Sequence, residues 1–240
     1  MCGRYVSASS PEELARYFGA TPPVEALPDN YNVAPTDKVY AVRARDGHRA
    51  VEVLRWGLVP FWAKDVKIAS KMINARSETV ADKPAFRRAF QAKRCLLPAT
   101  GFYEWKTLEG GPGPKPRKQP YFIRRSDGEP LVMAGLWERW YQKAGDGSDL
   151  PGIEPLESCT VLTTAANSTM RPVHDRMPVF LPASAWDEWL DPSSDTTALR
   201  RLLVPAPDEL LSLYPVTTAV NNVRNRGPAL LEPAEPEGSP

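Results

Sequence analysis

A chain of 240 residues, 42% hydrophobic, 9% aromatic and 25% charged, has the make-up of a soluble globular protein with enough material for one large core. A net charge of +1 gives no bulk signature of a nucleic-acid binder, and three scattered cysteines beside two histidines argue against a disulfide framework and against a zinc site. The N-terminus carries Arg4 and polar residues where a signal peptide needs its apolar run, and no apolar run approaches the roughly 18 residues of a membrane span, so a cytoplasmic protein is expected.

In chain order, Ser10-Pro11-Glu12-Glu13 spells a helix start, with Ser10 as cap, proline in the first turn and Glu13 reaching back. Leu14, Tyr17 and Phe18 then face a core, and Gly19 ends the helix. Strand-like runs follow at 38–43, 51–56, 94–98, 101–106, 121–125, 131–137, 158–164 and 178–181. Helices are predicted at 83–91 (Asp82 as cap), 183–190 and 196–203. Many strands with few helices, and no regular βαβ alternation, argue for the α+β class. The Gly/Pro-rich stretches 108–120 and 143–157 read as surface insertions within one sheet system, and 232–240 (EPAEPEGSP) as a disordered tail.

Charge is unevenly spread. From Phe61 to Arg94 there are nine Lys/Arg (64, 67, 71, 76, 83, 87, 88, 93, 94) against three acids, whereas 182–240 carries four basic residues against nine acids. Beside Phe61 and Trp62, the basic segment suits a surface that tracks phosphates and stacks bases; a solvated helix face would read equally well on charge alone.

Cys95 in RCLLP and Cys159 in SCTVLTT sit in apolar runs and read as core residues. Cys2, beside the terminus, needs a separate account. Four short stretches carry chemistry-bearing side chains: MCGRY at the start, INARSET at 73–79, GFYEW at 101–105 and HDRMP at 174–178. Alone, Asn74 is an ordinary turn residue and His174 an ordinary loop histidine. Glu104, in an aromatic strand, would be a costly buried carboxylate without a partner.

Together with NVAPT (32–36), WGLVPFW (56–62), CLLPATGFYEWK (95–106), AGLWE (134–138), LTTAAN (162–167), HDRMPV (174–179) and AVNNVRN (219–225), these stretches run almost the whole chain. In that order they resemble the SOS-response-associated peptidase (SRAP) family. The resemblance implies a single domain, 1–231, of antiparallel, barrel-like twisted sheets with surrounding helices. It implies recognition of abasic sites in single-stranded DNA, covalent cross-linking to them, and a place at the nucleoid during the response to DNA damage. By motif position Cys2 would be the nucleophile once Met1 is removed, supported by Asn74, Glu104 and His174. Arg4, Arg76 and Arg176 fall in stretches that bind phosphates or the damaged sugar, and Phe61 and Trp62 where the family carries aromatic wedges. A monomer without metal, cofactor or membrane attachment is expected. Autoproteolytic loss of Met1 and strand cleavage by β-elimination would be further activities of the same site.

The residue types suit that reaction. A terminal cysteine offers an amine and a thiol on adjacent carbons, so an aldehyde can condense to an imine and close to a thiazolidine. An α-amine titrates near ~8 against ~10.4 for lysine, so the terminus carries roughly two orders of magnitude more free base at neutral pH. The thiol, near ~8.5, is a few per cent thiolate at neutral pH and can be lowered by a neighbouring cation. An abasic sugar is mostly a closed hemiacetal, and opening it requires an acid–base pair, here Glu104 and His174. Two rivals stand beside this reading. N-terminal-nucleophile glutamine amidotransferases also begin Met-Cys-Gly, though glutamine-clamping motifs are not found. A non-catalytic reader of single-stranded or modified DNA would leave Cys2 incidental.

Overall fold

The first helix forms as its capping sequence dictates. In the computed structural model, which describes residues 2–108, 116–144 and 147–235, helix α1 (Pro11–Phe18) opens on a closed capping box. The Glu13 N–H donates to Ser10 Oγ at 3.2 Å, and the Ser10 N–H donates to Glu13 Oε2 at 2.9 Å. Gly19 stops the helix in the left-handed region (φ 57°), which a residue without a Cβ adopts cheaply. Leu14 and Phe18 are buried, and the Tyr17 and Phe18 rings pack on Trp186 at 5.6 and 4.8 Å. Met1, most of the 108–120 stretch, two residues of 143–157 and the end of the 232–240 tail lie outside the described residues.

Among the described residues, two sheets make up the strand content. One, with five strands, has the order β13–β9–β8–β1–β3, built from β1 (Arg4–Ser7), β3 (Asn30–Val33), β8 (Gly101–Thr107), β9 (Lys118–Arg125) and β13 (Leu211–Pro215). The other runs β12–β11–β10–β7–β4–β5–β2, with β6 beside β11. Its members are β2 (Ala20–Thr21), β4 (Lys38–Arg45), β5 (His48–Trp56), β6 (Asn74–Arg76), β7 (Arg94–Ala99), β10 (Leu131–Trp140), β11 (Leu156–Ala165) and β12 (Arg176–Pro178). Strand β5 returns to pair with β11 in parallel (Ser158 opposite Arg55, Cys159 opposite Trp56), closing β11–β10–β7–β4–β5 into a five-stranded barrel. Closure leaves those five strands without open edges. The molecule is a single α+β domain, as expected.

Side chains alternate across the barrel strands. One set (Val39, Ala41, Leu54, Trp56, Cys95, Leu97, Met133, Cys159, Val161) shares a core with Tyr5, Phe102 and Ile123 of the other sheet. The opposite set (Tyr40, Val42, Val51, Leu96, Ala134, Leu162) packs against α1, α2 (Arg87–Ala92), α3 (Trp186–Leu190) and α4 (Thr196–Leu199). Every residue of β7 is buried, as suits a strand covered on both faces. Cys95 and Cys159 are fully buried core residues.

The helices are shorter than their sequence patterns predict. The 83–91 segment is a turn until Phe86, and Asp82 does not cap α2; Pro84 lacks the N–H that a continuous helix needs. Segment 183–190 begins as a 3-10 turn (Ala183–Ala185) before α3, and 196–203 tightens from α4 into a 3-10 turn at Arg200–Leu202. The strand expected at 178–181 is instead β12, which starts two residues earlier and ends three residues earlier, with only a bridge from Phe180 to Met133. In the tail, Pro233 bridges Val216 and the Ala234 N–H donates to Pro215 O at 2.9 Å.

Two of the nine cations in the basic segment have structural work. Arg94 is buried, and its guanidinium donates to the carbonyls of Trp189 (2.6 Å), Phe90 (2.7 Å), Gln91 (2.6 Å) and Asp191, satisfying the C-terminal ends of α2 and α3. Lys93 pairs with the buried Glu138. No helix among the described residues is long and apolar enough to cross a membrane.

Candidate active site

The two sheets meet at the start of the chain. Strand β1 pairs with β8 (Arg4 opposite Tyr103), which carries Cys2 in beside Glu104, the next residue of β8. On the barrel side, β6 lies parallel to β11, and the Asn74 amide Nδ2 donates to the Cys2 carbonyl at 2.7 Å. His174 sits in the turn leading into β12, where its own N–H donates to Met170 O at 3.0 Å. Cys2 and Glu104 thus come from one sheet, Asn74 and His174 from the other. Four residues spread over 172 positions of sequence become neighbours at one seam, and electrostatics couples them: the Glu104 charge acts on the Cys2 thiol, and the His174 charge acts on Glu104.

Cys2 is fully buried, not at a loose exposed terminus, because pairing of β1 on both sides draws the preceding residues into the shared core. Burial, with the Glu104 charge second, pushes its thiol far above the ordinary cysteine value, the opposite of what a neighbouring cation would do. Its Sγ lies 4.0 Å from Arg4 O. The thiol is therefore neutral in this state, and any thiolate must be made at the moment of use. Glu104, 2% exposed, has its carboxyl raised by burial, with the His174 charge and the Trp105 N–H opposing. A carboxyl so placed holds its proton more readily than an exposed one and is suited to acid–base work.

His174 has its tautomer set locally. The Arg176 N–H donates to its Nδ1 at 3.0 Å, so the neutral ring carries its proton on Nε2. Asp175 Oδ1 also lies 2.9 Å from Nδ1, but that carboxylate is 87% exposed and screened by solvent. The Asn74 Oδ1 is buried and has no hydrogen-bond partner among the described residues, leaving one strong acceptor unfilled beside Cys2.

The residues expected to bind DNA fall into three situations. Phe61 and Trp62 stand 40% and 46% exposed on the loop after β5, with the Arg88 guanidinium 4.3 Å above the Phe61 ring. Arg76 is exposed, and its side chain makes no hydrogen bond or ion pair among the described residues. Arg4 and Arg176 are committed. Arg4 Nη1 donates to Asn32 Oδ1 (3.0 Å) and Val220 O (3.1 Å), and Arg176 is gripped by Glu78 (2.5 and 2.9 Å) and Thr163 O (2.6 Å).

Sequence reading passed over three residues at the seam. Asn32, fully buried, donates to the carbonyls of Val220 (3.1 Å), Asn222 (3.1 Å) and Asn225 (2.9 Å), tying NVAPT to AVNNVRN. Trp105 Nε1 donates to Asn221 Oδ1 at 2.7 Å, a second tie to the same segment. Glu78 lies inside INARSET, yet nothing in that stretch says its partner is Arg176, 98 residues away. Among the described residues no group of three or more His, Cys, Asp or Glu could hold a metal ion.

A closed five-stranded barrel flanked by a second sheet gathers Cys2, Asn74, Glu104 and His174 at the seam between them. The family model described as SOS response associated peptidase (SRAP) matches residues 1–223, and the chain belongs to that family. It is 39% identical over 238 residues to YoqW of Bacillus subtilis, covering 97% of this chain and 99% of that protein. It is 31% identical to YedK of Escherichia coli over 240 residues (97% and 100%), and 34% identical to HMCES of Gallus gallus over 215 residues (80% and 60%). All three relatives are named abasic site processing proteins. A solved structure from Bacteroides thetaiotaomicron matches the fold with TM-score 0.82 and 27% identity, over 98% of this chain and 100% of that one.

Proposed function

We propose that this protein recognises abasic sites in single-stranded DNA and captures them covalently through Cys2, acting as a cytoplasmic, nucleoid-associated responder to DNA damage. The observation that carries the reading is the seam itself. The Asn74 amide holds the Cys2 carbonyl at 2.7 Å, next to a carboxyl raised by burial and an imidazole of defined tautomer. The names of the relatives supply the substrate class.

Hydrolysis of the Met1–Cys2 bond frees the α-amine. The unfilled Asn74 Oδ1, on the amide that already holds the Cys2 carbonyl, offers that amine an acceptor. His174 Nε2–H and Glu104 divide the opening of the sugar, one protonating the ring oxygen while the other removes the hydroxyl proton. The free amine attacks the aldehyde carbon, and the nitrogen–carbon bond forms with loss of one water. Because burial keeps the thiol neutral, the amine reacts first; the sulfur then adds across the C=N bond, and its proton passes to the nitrogen. Elimination of the 3′ phosphate from the imine would be a side reaction of the same intermediate.

Arg76 supplies an uncompensated charge for a phosphate, while Phe61 and Trp62 stack on the bases beside the gap, worth ~1–3 kcal/mol per base. Arg4 and Arg176 would reach phosphate only by sharing or giving up their present partners. The test is a denaturing gel of the protein with uracil-glycosylase-treated single-stranded DNA. A slow-migrating adduct is expected, absent with Cys2→Ala; its absence from the parent protein overturns the reading. Ammonia release from glutamine would instead favour the amidotransferase reading.

A further inference from the structure

The Arg176 guanidinium is already holding an anion, and that anion is part of the protein. Glu78 offers Oε1 to Nη1 at 2.5 Å and Oε2 to Nη2 at 2.9 Å, a two-pronged pairing. The same Nη2 is fixed from behind by Thr163 O at 2.6 Å. Thr163 is paired with Arg76 across β11 and β6, so the ion pair stands beside the exposed, uncompensated Arg76 and on the same short strand system as Asn74. The two partners are unequally held. The Arg176 side chain is 15% exposed, while that of Glu78 is 50% exposed, so the carboxylate is the movable member.

A guanidinium fork accepts a carboxylate and a phosphate diester in the same planar geometry. With Glu78 in the fork, a passing strand meets one uncompensated arginine at this edge of the site where it would otherwise meet two. Binding of an ordinary single strand depends on such cations, because each neutralised phosphate adds ~0.7 to the slope of log affinity against log salt. Lesion capture has another source of retention, the covalent bond at Cys2.

Resting on the proposed abasic-site reading, we infer that Glu78 is a specificity residue: its carboxylate occupies the Arg176 fork in place of a DNA phosphate and holds down affinity for undamaged single strands. A strand anchored at Cys2 has its phosphate presented at high local concentration and can displace Glu78; an undamaged strand passing through has no such anchor. Glu78 is held below the usual carboxylate range by Arg176, so it is ionised and competes as an anion at neutral pH. The cost to the protein is weaker general DNA binding, and the gain is a larger ratio of damaged to undamaged strand retained.

The test compares the parent protein with Glu78→Gln, nearly isosteric, using fluorescence anisotropy on an undamaged single-stranded oligonucleotide over a salt series. E78Q should bind several-fold tighter, with a slope steeper by about 0.7. Cross-linking to excess abasic oligonucleotide should reach the parent's end-point, so the preference for damaged DNA falls by the same several-fold factor. Equal or weaker binding with an unchanged slope would show the pair to be a structural brace and overturn the inference. Thermal melts of both proteins check the fold; should E78Q melt early, Glu78→Ala is read in the same assay with the same expected direction. An absent abasic adduct in the parent protein would instead fell the abasic-site reading, while the undamaged-strand comparison still reports on the fork.

Discussion

Three cysteines share one core, and burial does not tell them apart. Cys2, Cys95 and Cys159 are all fully buried in the same cluster, and all three thiols are pushed up by desolvation, that of Cys95 to about 12. The difference lies in what surrounds them. In the barrel wall, Cys95 leans over Gly135, where an added Cβ would stand 2.9 Å from its Sγ, and Cys159 packs among apolar neighbours. At the seam between the sheets, Cys2 instead has the Asn74 amide on its carbonyl and the Glu104 carboxyl acting on its thiol, with His174 acting in turn on Glu104. The wall cysteines stand on barrel strands β7 and β11, whereas the seam is the place where β1 and β8 of one sheet meet β6 of the other and polar side chains gather.

The largest effects should separate wall from seam. Cys2→Ala should abolish the abasic adduct, while Cys95→Ala and Cys159→Ala should retain it at a stability cost on the order of 1 kcal/mol; gels and urea melts read the two outcomes. Loss of the adduct in either wall variant that still folds would break the distinction. Next come Glu104→Gln and His174→Ala, each expected to slow cross-linking by ~10²–10⁴-fold in single-turnover kinetics. Parent-like rates in both would remove the acid–base assignment.

The same contrast runs through the arginines. Arg94→Ala leaves buried carbonyls at two helix ends without donors and should cost on the order of 3 kcal/mol of stability, with little effect on DNA affinity of the folded protein. Arg76→Ala should do the reverse, changing stability by less than about 0.5 kcal/mol while flattening the salt dependence of single-strand binding by ~0.7. The smallest effect is a pH dependence of stability. Glu104 has a folded carboxyl raised above its unfolded value, so the folded state binds the proton more tightly. The stability this proton confers is full below the unfolded value and is lost as pH rises through the ordinary carboxylate range up to the raised folded value. Glu104→Gln should therefore melt higher than the parent near neutral pH, with the gap closing on acidification. A constant gap across that range would place the cause elsewhere.

Local signals in the sequence carried far. Ser10, Glu13 and Gly19 settle α1 through contacts within ten residues, and the central barrel strands are long apolar runs that read plainly. What stayed hidden was short or distant. Strands β1, β3, β6 and β13 have three to five residues each and polar side chains within them, so no periodicity survives; they hold only because neighbours pair with them. Two of these weak strands frame the candidate site: β1 follows Cys2 and β6 carries Asn74, while Glu104 stands on the longer β8. The site's residues could be named from motif position, but not the burial of Cys2, which follows from how β1 is docked, nor the direction of its thiol shift. Basic residues were equally opaque: Arg94, Arg176 and Arg76 look alike in sequence, and only their partners separate a helix brace, a covered fork and an open cation.

The most direct test of the seam chemistry is the intact mass of the adduct formed with a short abasic oligonucleotide. The expected mass is that of the protein lacking Met1 plus the oligonucleotide minus one water, as condensation of the Cys2 amine with the aldehyde requires. An adduct of the same yield that retains Met1 would contradict a terminal 1,2-aminothiol as the capturing group.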